Sequence, residues 1–420
     1  MRYTPEIDSS TTPMVTAQNF GGKTFTFADY GARGTISEAQ IDAFETAYNA
    51  KLTVDYIPTD TYLEELAAAR AAGKLYDIIR LSSSLYPAPI TADLLRPLET
   101  HISKGDLWNA TTKSGFSWNL MYETSLSGHI YTVGGNYRQA LSVIYYNKKE
   151  FTTAGYTGKN DPLALYNAGK WDWQTLYDML LKIQRPTEGV YGINSPIPHG
   201  VDQFLTSYNT GLTKTTADGR FVENLSDPNI YEAYEMLQTY CYGEHKVINL
   251  NDADEPIQEQ FLSGTTVALL SDTTFYGTAH AALQGSSAFG ASANLGVVPL
   301  PTYKNGPHSI WEWDGFGSSA YRSEEGVQCA LAFAKHDSAY NHTNAYHTAM
   351  PNEVKALFCR ILDSDHLLAP YNGFGCSAGS LGNLNQTLAT TIALNDQNIT
   401  VVLKGYKKVT QIIIDTALKG

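Results

Sequence analysis

Apolar and polar residues alternate from Thr24 onward: Thr24-Phe25-Thr26-Phe27-Ala28-Asp29-Tyr30-Gly31 has the two-residue period of a half-buried strand and stops at a glycine. The period then lengthens to that of a helix. Ser37 with Gln40 three residues on has the spacing of a capping box, and Ile41, Phe44 and Tyr48 fall on one helical face. Leu52–Ile57 predicts a second strand. Leu63, Leu66 and Ala67 mark the inward face of a second helix that ends at Gly73, and Asp77–Leu81 predicts a third strand. This β-α-β-α-β order with short loops predicts a parallel sheet flanked by helices, whose ligands lie beyond the carboxyl ends of the strands.

Farther along, the apolar strand Leu141–Tyr146 follows a loop of special residues, Val133-Gly134-Gly135-Asn136-Tyr137-Arg138-Gln139. Asp172 predicts the start of a helix with Trp173, Leu176, Leu180 and Ile183 inward, and Asp227-Pro228 the start of another with Ile230, Tyr234, Leu237 and Cys241 inward. A short helix around Ile257 and Phe261 feeds the strand Thr266–Leu270. The stretch Leu295–Pro301 and the short strand Ile310–Phe316 follow, and the last hundred residues read mostly as helix. The residues before Thr24 carry no such period, and Asp8-Ser9-Ser10-Thr11-Thr12-Pro13 reads as a flexible polar leader over 1–23.

Composition bounds this picture. A chain of 420 residues is long for one core, since single cores rarely grow beyond ~250–300 residues, so two or three domains are expected. The net charge of -13 offers no attraction to phosphate, which argues against nucleic acid and anionic membranes and for a small neutral partner. No uncharged apolar run approaches the ~18 residues of a membrane span. The 28 Tyr against 15 Phe exceed what a core alone favours, because a buried hydroxyl needs a partner whereas Tyr and Trp suit wet surfaces. Cys241, Cys329, Cys359 and Cys376 show no CxxC spacing, so neither a zinc ribbon nor a dithiol redox pair is encoded.

Motifs for catalysis fail on inspection. Gly375-Cys376-Ser377-Ala378-Gly379 fits the G-x-S-x-G elbow, but no buried strand precedes it and no histidine follows it. Gly22-Lys23-Thr24 lacks the upstream glycine and strand of a phosphate loop. His342 and His347 are five apart and do not share a helical face as an i, i+4 metal pair does, and Asp252-Ala253-Asp254-Glu255 lacks the rhythm of a calcium loop. No metal or cofactor is expected. Glu312 and Asp314, on one face of a short strand, keep open a glycoside hydrolase, which needs two carboxylates about 5 to 10 Å apart. What remains is a set of aromatics at strand ends: Trp311 and Trp313, each next to an acid, and Tyr137 with Arg138 and Gln139. Flat rings beside polar donors and acceptors suit sugars.

Five stretches, in this order, resemble the extracellular solute-binding proteins of ABC importers, family 1, the carbohydrate binders that include maltose-binding protein. They are Leu94-Leu95-Arg96-Pro97-Leu98-Glu99; Gly128–Val133 leading to Leu141–Phe151 and Ala154-Gly155; Lys170–Leu176 followed by Tyr191-Gly192-Ile193; Glu259–Leu270; and Gly296–Pro301. The resemblance covers Thr24 to Leu418. It implies an α/β, two-lobed fold of the periplasmic-binding-protein type II, made of two discontinuous domains joined by a hinge. The N-terminal lobe would take 24–135 and 317–366, the C-terminal lobe 136–309 and 367–420, with crossings near 133–139, 310–317 and 367–374.

The resemblance further implies a non-enzymatic receptor that closes around a neutral oligosaccharide and delivers it to the permease subunits of an importer. Ligand-facing positions would be Asp29 and Tyr30, Ser83 and Ser84, Tyr137 and Gln139, Phe275 and Tyr276, and Trp311, Trp313 and Asp314. A monomer is expected, at the surface of a Gram-positive bacterium as a lipoprotein with the leader as tether, or in the periplasm of a Gram-negative one. Gln139 stands where maltose-binding protein has an acid, and Leu81, Ser84 and Leu85 replace a tryptophan-acid-arginine set, which weakens the expectation of malto-oligosaccharide specificity. Two alternatives stay open: a glycan hydrolase using Glu312 and Asp314, and a binder of the same fold for a polyamine, peptide or metal chelate.

Overall fold

Three parallel strands form the first half of the chain's main sheet: β1 (Lys23–Tyr30), β2 (Ala50–Ile57) and β3 (Ile78–Ser82), with β1 in the centre and Phe27 in register with both Val54 and Ile78. The computed structural model describes residues 4–419 apart from 17, 32–35, 196, 249–256, 304, 305, 307, 344–347, 365, 366 and 369–380, with backbone alone at 197–199, 311, 342, 343 and 368. Helices Glu38–Tyr48 and Tyr62–Ala71 supply the crossovers. Ser37 caps the first by accepting from the Gln40 amide at 3.2 Å, but the Gln40 side chain goes to Asp337 and so completes only half of the expected box. In the second helix Tyr62 is buried and Ala67 exposed, the reverse of the expectation for Ala67, because the Tyr62 hydroxyl reaches the carbonyls of Ala28 and Arg80 at 2.9 Å.

The other half of the sheet is mixed. It contains β4 (Gln139–Asn147), β5 (Tyr191–Asn194), β8 (Thr266–Asp272) and β9 (Leu295–Pro299), while β6 (Thr213–Thr215) and β7 (Phe221–Glu223) make a separate hairpin. The halves meet on β10 (His308–Gly317), giving the order β2-β1-β3-β10-β4-β8-β5, with β9 also on β4 and β11 (Leu367–Leu368) also on β10. One end of β10, Asp314–Gly317, runs antiparallel to β3, and the other, Ile310–Trp313, runs antiparallel to Gln139–Leu141 of β4. The register shifts between Ile310 and Glu312, so Trp311 is an extra residue. Such a bulge resets the in-and-out phase of a strand. Ile310 and Trp313, three apart, are therefore both buried, and Glu312 and Asp314 share the opposite, more open face.

The crossing before β4 runs close against β10 and the helix Glu324–Thr343. Val133 and Phe316 exchange backbone hydrogen bonds of 2.9 and 2.7 Å. At Gly135 a Cβ would overlap Ser338 of that helix, and at Gly315 it would overlap Thr132, so side chains are excluded at both crossing strands. The helices of the chain's end join the second half: Leu381–Ala389 lies on Ile197–Ser207, and Ile399–Ala417 on β7. Asn385 links the first of these by bonding Asp202 and by accepting from the Tyr234 hydroxyl at 2.9 Å. The helix Asn352–Leu362, expected with the N-terminal lobe, packs instead on β4 and β9, because Val354, Leu357 and Phe358 extend the apolar cluster of Val143, Tyr145 and Val297. The expected third crossing at 367–374 lies mostly outside the described residues.

The segment read as a flexible leader is docked. Asp8 pairs with Ser103, the Gly105 amide donates to the Ser10 carbonyl at 3.0 Å, and Val15 is buried. Asp106, fully buried, accepts from the amides of Met14 (2.9 Å) and Val15 (3.0 Å), from Ser103, and from Lys335 Nζ at 3.0 Å. Burial alone would raise its carboxyl, but the bonds from Ser103, Met14, Lys335 and Val15 outweigh it and hold the group below its ordinary 3.8. Polar composition misled here because the leader's polarity is spent on backbone partners. Cys241 and Cys329 are buried free thiols, burial pushing Cys241 up to about 12 and Cys329 higher, and Cys359 is half-buried and free. Among the described residues no helix is long and apolar enough to cross a membrane.

Asp106→Ala should strip the docked segment of its central acceptor and cost roughly 2–4 kcal/mol. Hydrogen exchange at Met14 and Val15 then becomes fast; retained protection would show that Asp106 does not hold the segment. The wild-type contribution is present above pH 3.8 and is lost as pH falls through the depressed folded value. Trp313→Ala opens a void beside Tyr86, 6.3 Å away ring to ring, and should cost roughly 3–5 kcal/mol in urea unfolding. A loss below about 1 kcal/mol would mean that the ring is not part of the core.

Candidate ligand site at the hinge

The carboxyl ends of β1 and β3 meet β10 at a chain of charges. Arg80 interrupts the apolar run Ile78-Ile79-Arg80-Leu81 of β3 and is almost fully buried. Its Nη1 donates to Asp29 Oδ1 at 3.0 Å and its Nη2 to Asp314 Oδ2 at 2.5 Å. The guanidinium lies 4.4 Å from the centre of the Tyr30 ring, and the Tyr30 hydroxyl donates to Asp314. Arg138, on the turn before β4, continues the chain: Nε donates to Asp337 Oδ2 at 2.9 Å, Nη2 to Oδ1, and Nη1 stands 3.8 Å from Asp314 Oδ2. Asp337, fully buried on the helix Glu324–Thr343, is thus held by Arg138 and Gln40.

Burial would weaken both cations, yet the aspartates more than offset it and keep Arg80 and Arg138 protonated. Asp29 differs: burial outweighs Arg80 and raises its carboxyl, and Oδ2 has no hydrogen-bond partner. Tyr30 is raised by burial and then by Asp314.

Asp314 is the open end of this chain. It faces a recess of about 160 Å³ lined also by Tyr137, Arg138, Gln139, Ala140, Glu312, Thr273 and Thr274 after β8, and Leu362. The shared strand β10, the start of β4 and the turn after β8 therefore line one concavity at the crossing, and β1 and β3 reach it only through the bonds of Arg80 and Tyr30 to Asp314. Glu312 reaches water at its mouth, but the flanking protein desolvates it, and with Asp314 and Asp272 nearby its carboxyl is pushed up to about 7, Arg80 offsetting part of the rise. Near neutral pH this acid both donates and accepts hydrogen bonds. Among the described residues no cluster of three metal-ligating side chains exists.

The sequence-derived candidates divide. Tyr137 and Asp314 line the recess. Gln139 lines it too, but its amide is held from behind, Nε2 donating to Ser117 Oγ at 3.1 Å and Oε1 accepting from Asn119 at 3.3 Å. Asp29 and Tyr30 stand behind the recess as partners of Arg80 and Asp314. Ser83 and Ser84 lie on the turn after β3, where Ser84 bonds Ser82 at 2.8 Å, and do not line it.

Phe275 and Tyr276 belong to the core: the turn after β8 folds them inward against Tyr145, 5.5 and 6.4 Å ring to ring. Trp313 faces the core for the reason given by the bulge, and the Trp311 side chain lies outside the described residues. Arg80, Asp337, Thr273 and Thr274 were not foreseen. A charge inside an apolar strand was the available signal for Arg80; Asp337 carried none, since an acid on a helix is ordinary.

The sequence over residues 28–336 matches the family model described as bacterial extracellular solute-binding protein. Solved structures with similar architecture include the sugar-binding protein MalE of Xanthomonas citri, with a TM-score of 0.72 and 14% identity over 94% of this chain and 98% of that one. A sugar transporter protein of Rhizobium etli in an open conformation gives 0.70 at 16% identity, covering 93% and 99%. The galacto-N-biose-/lacto-N-biose I-binding protein of an ABC transporter of Bifidobacterium longum, in complex with lacto-N-biose, gives 0.66 at 11%, covering 95% and 99%. A comparison with curated proteins gave no significant match. The structural likenesses carry the two-lobed fold, and the family match spans most of the chain. The chain belongs to the bacterial extracellular solute-binding protein family.

Proposed function

We propose that the protein captures a neutral oligosaccharide in the hinge recess and hands it to the membrane permease of an ABC importer. One observation carries the neutral ligand: both arginines at the site are engaged by aspartates within the protein, so neither is left over for an anion. Among the described residues a cation finds at the recess only the single open edge of Asp314 and a Glu312 that is half protonated near pH 7. Thr273, Thr274 and Glu312 offer donors and acceptors suited to hydroxyls, with the Tyr137 ring beside them. The solved relatives named for sugars support the same ligand class. Delivery outside the cell follows from the family. The cell-surface lipoprotein form, with the polar N-terminal segment as tether, is part of the proposal.

A hydrolase is the weaker reading. Glu312 and Asp314 project from one face of one strand, whereas hydrolysis needs carboxylates on opposite sides of a glycosidic bond, and Asp314 is held by Tyr30 and Arg80.

Calorimetric titration against neutral glycans, peptides, polyols and polyamines should give saturable binding to a glycan, with a change in Trp fluorescence and no released products. Binding confined to charged solutes, or turnover of the bound glycan, would overturn the proposal. Glu312 makes a further pH-dependent expectation. A carboxyl whose folded pKa is about 7 and whose ordinary value is 4.5 costs stability once ionised, so this group's effect is absent at pH 4.5 and grows as pH rises toward 7. Glu312→Gln should therefore melt above wild type at pH 8, with the difference vanishing near pH 4.5. A difference independent of pH would show that Glu312 is not desolvated.

A further inference from the structure

The hinge recess is small, about 160 Å³, and beside it lies a larger one of about 620 Å³. Its walls include Trp108, Trp118, Asn136 and Asp363, and its outer side is Thr4–Ile7 of the docked N-terminal segment. Tyr137 stands where the two adjoin. It lines the hinge recess, its ring lies 5.4 Å from that of Trp108, and its hydroxyl donates to Asp363 Oδ1 at 3.2 Å. The residues on either side make the same junction: Asn136 lines the outer recess next to Tyr137 in sequence, and Leu362 lines the inner one next to Asp363.

Both tryptophans are half-exposed, and each is fixed by its backbone. The Trp108 amide donates to the Phe116 carbonyl at 2.8 Å, and Trp118 opens a helix capped by Ser117, the same residue that receives the Gln139 side chain. Ile7 packs against the core beneath them, so the outer wall is held in place by apolar contact as well as by the Asp106 anchor. Half-exposed indoles beside an amide and a carboxylate have the composition of a surface for sugar rings, a flat apolar face with polar groups at its edge. Lys113, 3.6 Å from Asp363, ties the first lobe's loop to the helix of the second at this rim.

We propose that the outer recess is a second carbohydrate subsite, taking the further rings of an oligosaccharide whose first ring sits at the hinge, and that the docked N-terminal segment is its wall. The inference rests on the oligosaccharide reading above and adds a length for the ligand. Most of the space at the site is in the outer recess, so a chain of several rings fills it and a disaccharide does not.

The test is a calorimetric comparison of two-unit and five-unit members of three neutral ladders, malto-, cello- and β-1,4-galacto-oligosaccharides. Wild type should bind the five-unit member of one ladder at least about tenfold more tightly than its two-unit member. With 5-fluorotryptophan incorporated, the Trp108 and Trp118 signals, assigned by single Phe replacements, should shift with the longer sugar and not with the shorter. Deletion of residues 1–7, which leaves the Asp8–Val15 anchor, and Trp118→Ala should each shrink the five-to-two affinity ratio toward one, and Trp118→Phe should restore it. Equal affinity for both lengths, or a ratio untouched by the deletion, would overturn the subsite while leaving the hinge site standing. Absence of binding in every ladder would overturn both.

Discussion

One strand joins the two halves of the main sheet, and the rest of the molecule is arranged to permit it. β10 must present apolar residues to the core while changing partner from β4 to β3, and its pleat does not stay in phase along both pairings. The extra residue at Trp311 absorbs the mismatch. It lets Ile310 and Trp313 both enter the same apolar cluster, and it leaves Glu312 and Asp314 together on the open face. The chemistry of the recess is in this sense a by-product of register.

The charges behind the recess follow from the same crossing. The place where β1, β3 and β10 meet a helix buries Asp29, Arg80 and Asp337, and isolated buried charges are costly. Pairing them removes most of that cost without making the network a large net source of stability, because desolvation offsets much of the attraction. Its contribution is geometric. Arg80 ties β3 to β1 and β10, and Arg138 ties the crossing to the helix Glu324–Thr343, so the angle at which the second half leaves the first is tied to a specific set of bonds. The glycines at 135 and 315, which allow backbone to touch backbone there, narrow the range of motion further.

Legibility in the sequence divided along a physical line. β1, β2, β3 and their helices were readable because a half-buried element writes its period into consecutive residues, and the capped starts at Asp172 and Asp227 were readable for the same local reason. The order of the second half-sheet was not, since β4 pairs with partners more than a hundred residues away and nothing local records the choice. The site followed suit. Tyr137, Gln139 and Asp314 lie where the start of β4 crosses β10 and were named; Trp313 was assigned to the wrong face because one inserted residue inverts a strand without altering its composition. Phe275 and Tyr276 were misassigned by a turn that folds inward, and Trp108 and Trp118 were passed over because Trp108 lies outside helix and strand and the six-residue helix that Trp118 opens is too short to write a clear period. The polar segment before Thr24 showed that composition reports what a residue can bond to, not whether it finds a partner.

The buried thiols give each lobe its own reporter. Cys329 lies in the core that surrounds β1, and Cys241 in the core of the second half, and burial keeps both in the unreactive protonated form. A thiol reagent can reach either only while that core is open, so in a chain lacking Cys359 and Cys376 the two labelling rates would time the breathing of the two lobes separately. A ligand that clamps both would slow both clocks; one that grips a single lobe would slow only one.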